Sequence, residues 1–225
     1  MLLTSLIFAQ AQETSLITTL QEKFIAGGDF MWPILLSLII GIAFSIAKSV
    51  TLLRASQNTK KFVIKVTETI NNEGIQAAMQ LCQNTRGPVA SVFHAGILRA
   101  DEGLEAAEKA IMTYGSLEMN FLEKGMVWLS FCISIAPMLG FTGTVQGMIQ
   151  AFDAIAASNT MSPAVVATGI AVALLTTIFG LMVAMLLQFF FNFFISRIDK
   201  LVGDMEQASI ELIDVLYDYQ KKNKK

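Results

Sequence analysis

The fold of this chain is decided by the stretch Ala136-Pro137-Met138-Leu139-Gly140-Phe141-Thr142-Gly143-Thr144-Val145-Gln146-Gly147-Met148, which sets glycines and threonines into an apolar segment. No charged residue occurs from Gly125 to Phe152, so the segment is long enough to cross a bilayer as a helix. On such a helix one face carries only small residues: Ala136, Gly140, Gly143, Thr144, Gly147 and Ala151. Because small side chains let membrane helices approach closely, the stretch predicts a transmembrane helix packed against others.

A second stretch repeats this pattern nearer the C-terminus. Its small and hydroxyl-bearing residues fall on one helical face: Gly169, Ala173, Thr176, Thr177, Gly180 and Ala184. Two interpretations fit both faces. Either the small residues serve helix packing alone, or a ring of such helix pairs encloses a weakly polar interior.

The composition is that of a membrane protein, with 54% hydrophobic and 15% charged residues. The charges are absent from three runs, 30–47, 125–152 and 154–196. Because one span takes about 20 residues, we expect an all-α membrane protein with three transmembrane helices. The second and third helices are predicted to extend into a cytoplasmic helical domain, since apolar residues continue beyond them at helical spacing.

The basic residues predict the orientation. Lysines and arginines follow the first span, precede the second and follow the third, whereas the turn between the second and third spans has none. By the positive-inside rule the N-terminus lies outside, and 15 of the 16 basic residues lie in the cytoplasm, Lys23 being the exception. The predicted segments are a periplasmic or interfacial segment 1–30, transmembrane helices 31–53, 127–157 and 163–196, a cytoplasmic helical region 54–126, a periplasmic turn 158–162, and a cytoplasmic C-terminal helix with a basic tail 197–225.

The N-terminal segment has two interpretations. Ala9-Gln10-Ala11 is similar to a signal-peptidase site, but a basic n-region is missing. Residues 14–26 instead have the amphipathic pattern of a helix lying on the membrane surface, which is the interpretation we favour.

The sequence lacks the usual catalytic constellations. It has one histidine, His94, two isolated cysteines, Cys82 and Cys132, and no phosphate-binding loop. We therefore expect no enzyme, no cofactor, no metal site and no nucleic-acid partner. The three charge-free runs hold no Asp, Glu, Lys, Arg or His, so a proton path through them would need a carboxylate from another subunit.

Two motifs carry a family resemblance. Residues Ala136–Ile149 resemble the signature A-P-x-x-G-x-x-G-T-V-x-G-M of the MotA/TolQ/ExbB proton channel family, and Gly169–Leu181 resembles its third-span motif, G-I-x-E-A-L-x-T-T-x-x-G-L. Segments 86–90 and 121–125 resemble the family's cytoplasmic parts, and the resemblance extends over about residues 30–194. Three spans suit the ExbB and TolQ branch better than the four-span MotA branch.

The resemblance implies an assembly and a set of site residues. In this family five copies surround a dimer of a single-span partner, ExbD or TolR, whose membrane aspartate titrates. A TonB- or TolA-like transducer is a further partner, and membrane lipid surrounds the assembly. The family's pore threonines correspond to Thr144 and Thr177. The full predicted proton pathway is Thr144, Thr177, Thr176, Gly140, Gly143, Gly147, Ala173 and Gly180.

The chain departs from the family pattern at two positions. Val172 stands where the third-span motif usually has glutamate, which removes the family's own membrane carboxylate. Lys48 stands where related chains often have a Glu-Arg pair.

The function implied is that of a channel and stator subunit in the bacterial inner membrane, which couples proton flow to work on an envelope client. TonB-type, Tol-type, gliding and secretion systems all remain open as clients. The rival interpretation is a non-conducting oligomeric scaffold for a single-span partner, supported by Val172. A solute transporter is not favoured, because the chain lacks internal repeats and has few spans.

Overall fold

The computed structural model describes residues 18–56, 59–158 and 163–223, and within these ranges every regular element is a helix. Residues 18–26 are helical, and a short 3₁₀ turn covers Ala100–Glu102. The longer helices are α1 Met31–Ala55, α2 Thr59–Asn72, α3 Ile75–Asn84, α4 Pro88–Leu98, α5 Leu104–Glu123, α6 Met126–Ser158 and α7 Pro163–Asn223.

The predicted fold class is confirmed. The described residues contain three helical stretches long and apolar enough to cross a membrane, and each overlaps one of the predicted spans. Several expectations fall outside the described residues: the possible cleavage site and the beginning of the amphipathic helix, both before residue 18, the turn residues 159–162 with their predicted helix cap, and the last two lysines.

The chain forms two compact units. The apolar unit consists of the described residues up to Phe44 together with Val127–Phe191, and the charged unit consists of Ser45–Met126 together with the described residues from Asn192 onward. The helices α1 and α7 contribute residues to both units. The unbroken α7, 61 residues long, agrees with the predicted extension of the third span.

The apolar unit brings α1 onto the other two long helices. A Cβ on Gly41 of α1 would lie 2.5 Å from a methyl carbon of Leu187, so the missing side chain lets the two helices approach closely. Phe44 of α1 stacks with Trp128 of α6, with ring centroids 6.3 Å apart. These contacts place α1 against both helices of the α6–α7 hairpin.

The core of the charged unit is α4, in which eight of eleven residues are buried. The helix begins at Pro88, which suits a first helical position because it lacks an N–H, and Gly87 before it has a φ of 136°. Phe93 of α4 contacts the ring of Phe62 on α2 at a centroid distance of 5.7 Å. A Cβ on Gly96 would collide with Ile111 of α5, so this glycine permits the α4–α5 contact.

A buried lysine organises the junction between α5 and α6. The Lys48 side chain is 7% exposed, and its Nζ donates hydrogen bonds to the backbone oxygens of Leu122 and Lys124, the second at 3.0 Å. These carbonyls belong to the end of α5, where they have no partner within the helix. Gly125 follows with a φ of 91° and breaks the helix. The extension of the second span is thus made of two helices that meet at this glycine.

Cys82 provides a test of the charged unit. Burial raises the pKa of its thiol to about 12, whereas a thiol in an unfolded chain ionises near 8.5. Below about pH 8.5 both states keep the proton. Between that value and about 12 only the unfolded state loses it, so the stability of the folded state falls as the pH rises.

We therefore expect the melting temperature of the detergent-solubilised protein to fall by several degrees more between pH 8 and pH 10.5 in the wild type than in Cys82→Ala. Circular dichroism at 222 nm measures both. An equal fall in the two proteins would contradict the assigned cause, because the two proteins differ only at residue 82.

Candidate functional site

The small-residue faces of α6 and α7 pack directly against each other within one chain. A Cβ on Gly147 would lie 2.7 Å from the backbone oxygen of Gly169 and 2.9 Å from the backbone nitrogen of Ala173. A Cβ on Gly140 would lie 2.9 Å from the backbone oxygen of Thr176. Because backbone atoms cannot rotate away as a side chain can, these positions admit only glycine at this helix separation.

Thr176 belongs to this packed interface. Its side chain is 0% exposed and fills the space opposite Gly143, where a Cβ would lie 2.5 Å from its Oγ1. The hydroxyl lies 2.9 Å from the backbone oxygen of Ala173 and 3.2 Å from that of Val172, so its hydrogen is bonded within its own helix. Thr176 is therefore a packing residue in the single chain.

The structure divides the eight predicted pathway residues into two groups. Six of them are buried between α6 and α7 in the single chain: Gly140, Gly143, Gly147, Ala173, Thr176 and Gly180. Thr144 and Thr177 are half-buried and keep part of their surface outside the interface. Of the two interpretations of the small faces, helix packing thus accounts for the six, while the two remaining threonines are available to line a polar surface.

Thr144 and Thr177 lie on the same flank of the hairpin. On α6, Thr144 is about 60° around the helix from Gly147, and on the antiparallel α7, Thr177 is about 40° from Ala173 in the direction that leads to the same flank. The Thr144 hydroxyl donates to the Phe141 oxygen at 2.6 Å, and the Thr177 hydroxyl donates to the Ala173 oxygen at 3.1 Å. Since each hydroxyl donates to its own helix, its oxygen lone pairs are left to accept hydrogen bonds from water.

Val172 lies on the opposite flank, about 100° around α7 from Ala173. Its Cγ1 is 3.7 Å from where a Cβ of Gly28 would stand, so it lies beside the glycine turn that precedes α1. Gly28 has a φ of 76°, a conformation that suits glycine. The position at which the family motif has glutamate therefore lies next to α1 and away from the two threonines. Sequence reasoning missed this contact, because only the Gly27-Gly28 pair hinted at a close approach.

The one carboxylate of α6 is also on the Val172 flank. Asp153 is the one Asp, Glu, Lys, Arg or His between Gly125 and Ser196, and it is exposed near the end of α6. It lies about 120° around the helix from Gly147, on the side opposite Thr144. Among the described residues no group of three His, Cys, Asp or Glu side chains could hold a metal ion. The Nε2 atom of His94 is buried without a hydrogen-bond partner among them.

The sequence of this chain is similar to a known protein family and to several of its members. A sequence profile described as the MotA/TolQ/ExbB proton channel family matches residues 84–207. The chain is 30% identical to a putative biopolymer transport protein ExbB homolog of Methanothermobacter thermautotrophicus over 84% of this chain and 67% of that one. It is 32% identical to the Tol-Pal system protein TolQ of Pseudomonas aeruginosa over 51% of this chain and 54% of TolQ.

A third relative is matched over a shorter region. The biopolymer transport protein ExbB of Salmonella typhimurium is 38% identical over 94 residues, which are 42% of this chain and 38% of that protein. The chain therefore covers about half of TolQ and less than half of this ExbB.

The glycine contacts give a matched pair of variants. Gly147→Ala in α6 places a methyl group 2.7 Å from the Gly169 oxygen, whereas a methyl group at Gly203, which lies within α7, meets no atom within 4 Å. We expect Gly147→Ala to lower the melting temperature in detergent by several degrees, since each kcal/mol corresponds to about 2–4 °C in a chain of this size. Gly203→Ala should leave it unchanged or raise it, because alanine favours a helix. Similar losses in both variants would show that the interface is looser than described.

Proposed function

This chain belongs to the MotA/TolQ/ExbB proton channel family, and we propose that it is a channel and stator subunit of an ExbB–ExbD or TolQ–TolR type complex. In this role it surrounds a single-span partner and couples the proton motive force to work on a client in the cell envelope. The subunit itself performs no enzymatic reaction. One charge crossing the membrane releases roughly 2.3 kcal/mol per 100 mV, so a few protons suffice for a conformational step.

The observation that carries this proposal is the shared flank of Thr144 and Thr177. Two half-buried hydroxyls on neighbouring helices give the hairpin one polar edge, and their lone pairs can order water within a membrane. Exposure of such an edge to lipid is unfavourable, because lipid tails offer no hydrogen bonds. A central water-filled path, enclosed by several copies, satisfies both hydroxyls.

The titrating group comes from the partner in this proposal. The described part of the Thr144 and Thr177 flank has no carboxylate of its own, because Asp153 lies on the other flank. Val172, which replaces the family glutamate, lies on that other flank as well. Hydroxyls solvate a proton but do not hold one near neutral pH. A membrane aspartate on a single-span ExbD- or TolR-like helix would load and release the proton beside the two threonines.

The proposed assembly is a homopentamer in the inner membrane, with the N-terminus in the periplasm and the C-terminus in the cytoplasm. The basic residues support this orientation through the positive-inside rule. The small-residue faces do not support the ring directly, because each hairpin already uses them inside one chain. Contacts between copies must therefore use other surfaces of the helices.

A non-conducting scaffold is the second candidate. Val172 favours it, because a chain without the motif's carboxylate lacks one group that would couple proton flow to work, while its ability to assemble is unaffected. The two candidates differ in whether protons flow when the partner is present.

Substitution of the threonines tests the path. Thr144→Val and Thr177→Val keep nearly the same volume and remove the hydroxyl, and each is expected to lower partner-dependent proton flux about tenfold, equal to about 1.4 kcal/mol in the barrier. Thr142→Val is the matched control, because its hydroxyl donates to the Met138 oxygen on the same helix but lies outside the Thr144 flank. Flux into vesicles with a pH-sensitive dye measures the effect. If both variants conduct protons at the wild-type rate, the two threonines do not line the path and serve helix packing only.

Reconstitution with the partner tests the source of the carboxylate. Vesicles containing this chain alone are expected to pass almost no protons, because a path without a titratable group presents a large desolvation barrier. Addition of the single-span partner should start the proton flux. The partner's Asp→Asn variant should still bind this chain but should give no flux. Strong flux from the chain alone would place the proton carrier in this chain, and absence of flux with the partner would favour the scaffold.

A further inference from the structure

The charged unit has an apolar groove that no part of the described chain covers. It is a cavity of about 530 Å³ between α5 and the second half of α7. We call it the acidic groove, and its lining residues are Glu108, Ile111, Met112, Gly115, Ser116, Met119, Val202, Met205, Glu206, Ser209, Ile210 and Ile213. Met112 is 66% exposed and Ile210 is 62% exposed, so large apolar side chains in the groove face water in the single chain.

The rim of the groove is negatively charged. Glu108 lines it from α5 and Glu206 lines it from α7. The surrounding helices strengthen this charge, since α5 has four acidic residues and one basic residue, and residues 197–220 have six acidic and two basic residues. An apolar floor with an acidic rim fits a helix that presents an apolar residue between lysines.

One helix of the same chain has such a face. On α2 the residues Val63, Val66 and Ile70 are buried, while Lys61, Ile64 and Lys65 are exposed within an arc of about 100° on the other side of the helix. We call these three the basic face. Ile64 comes between the two lysines in sequence and lies beside Lys61 on the helix surface, at the border of the cleft between α2 and α7. It is 58% exposed, although it is a large apolar residue.

The groove and the basic face lie on opposite sides of α7. The cleft between α2 and α7 is lined by Asp204, Gln207, Ala208 and Glu211 of α7, whereas the acidic groove uses Val202, Met205, Glu206, Ser209, Ile210 and Ile213. On a helical wheel the centres of these two sets are about 180° apart. A chain therefore cannot place its own basic face in its own groove, but a neighbouring copy can.

The two surfaces also lie at the same level along α7. The cleft between α2 and α7 is lined by residues from the range 59–64 of α2 and 204–211 of α7, so α2 lies at the level of residues 204–211. The acidic groove extends over residues 202–213 of α7, which is the same level. Copies arranged around one axis meet at equal heights. Surfaces of different kinds on opposite sides, at the same height, are what a head-to-tail contact needs to close a ring.

We propose that the acidic groove of one copy binds the basic face of α2 from the next copy. Ile64 enters the apolar floor formed by residues such as Met112 and Ile210, and Lys61 and Lys65 approach the two rim glutamates. This contact rests on the proposed function in one respect, namely that the chain forms a ring. It assigns the ring a contact outside the membrane, which the packed small-residue faces do not provide.

Cysteine cross-linking of the full-length protein tests the contact. Ile64→Cys together with Ile210→Cys, in a chain whose Cys82 and Cys132 are replaced by alanine, should give covalent dimers and higher species up to the closed ring under mild oxidation. Neither single variant should give species above the dimer. Ile64→Cys with Tyr114→Cys is the matched control, because Tyr114 is also exposed but lies on the face of α5 away from the groove.

Charge reversal supplies an independent measurement that does not depend on oxidation. Glu206→Lys should lower the cross-linking yield about fivefold, and addition of Lys61→Glu should restore most of it. Asp218→Lys is the control, because this exposed acid does not line the groove. Melting temperature checks that each variant is folded.

The outcomes separate this contact from the proposed function. A ring by native mass without cross-links between Ile64→Cys and Ile210→Cys would overturn the contact and leave the assembly standing. A stable monomer in nanodiscs would overturn both. If the Ile210→Cys thiol reacts with maleimide only after removal of residues 221–225, or is protected only by the single-span partner, the groove has a different occupant and the proposal is wrong.

Discussion

The architecture of the apolar unit depends on direct backbone contact between α6 and α7. At Gly140, Gly147, Gly169 and Gly180 a single added methyl group would lie 2.5–2.9 Å from a backbone atom of the other helix. No hydrophobic effect drives two helices together inside lipid, so close approach and the dispersion contacts it allows must hold the hairpin. The two threonine hydroxyls on one flank have a fixed geometry only because this contact fixes the rotation of each helix. The polar edge is thus a by-product of glycine packing.

The separation of charge provides the second level of organisation. The apolar unit has almost no ionisable residues within its helices, whereas the charged unit places basic residues on α2 and acidic residues on α5 and α7. Such separation within one unit leaves surfaces of opposite sign, which favour specific orientations between copies more than they add stability. A membrane hairpin and a polar bundle therefore contribute differently to assembly, the first through shape and the second through charge.

The sequence was sufficient for the coarse fold, for reasons visible in particular residues. Charge-free runs, the lysines around them and the two family motifs predicted an all-α membrane protein with three long apolar helices, which the structure has. The partner of each small face could not be predicted, because Gly143 and Thr176 look the same in sequence whether they face a neighbouring helix or a pore. The break at Gly125 was also missed, since the side chain that bonds the carbonyls beside it is that of Lys48, 77 residues earlier in the chain. Contacts of that range carry no periodic signal.

The Lys48 contact has a consequence for how this protein can diverge. Its ammonium group occupies two carbonyls at the end of α5, and loss of the lysine would leave both without a partner at a cost of about 1–3 kcal/mol each. The cost disappears only if another donor arrives or if α5 continues through the glycine. Lys48 and the Lys124-Gly125 break therefore depend on each other, and chimeras between this chain and its relatives should exchange them together.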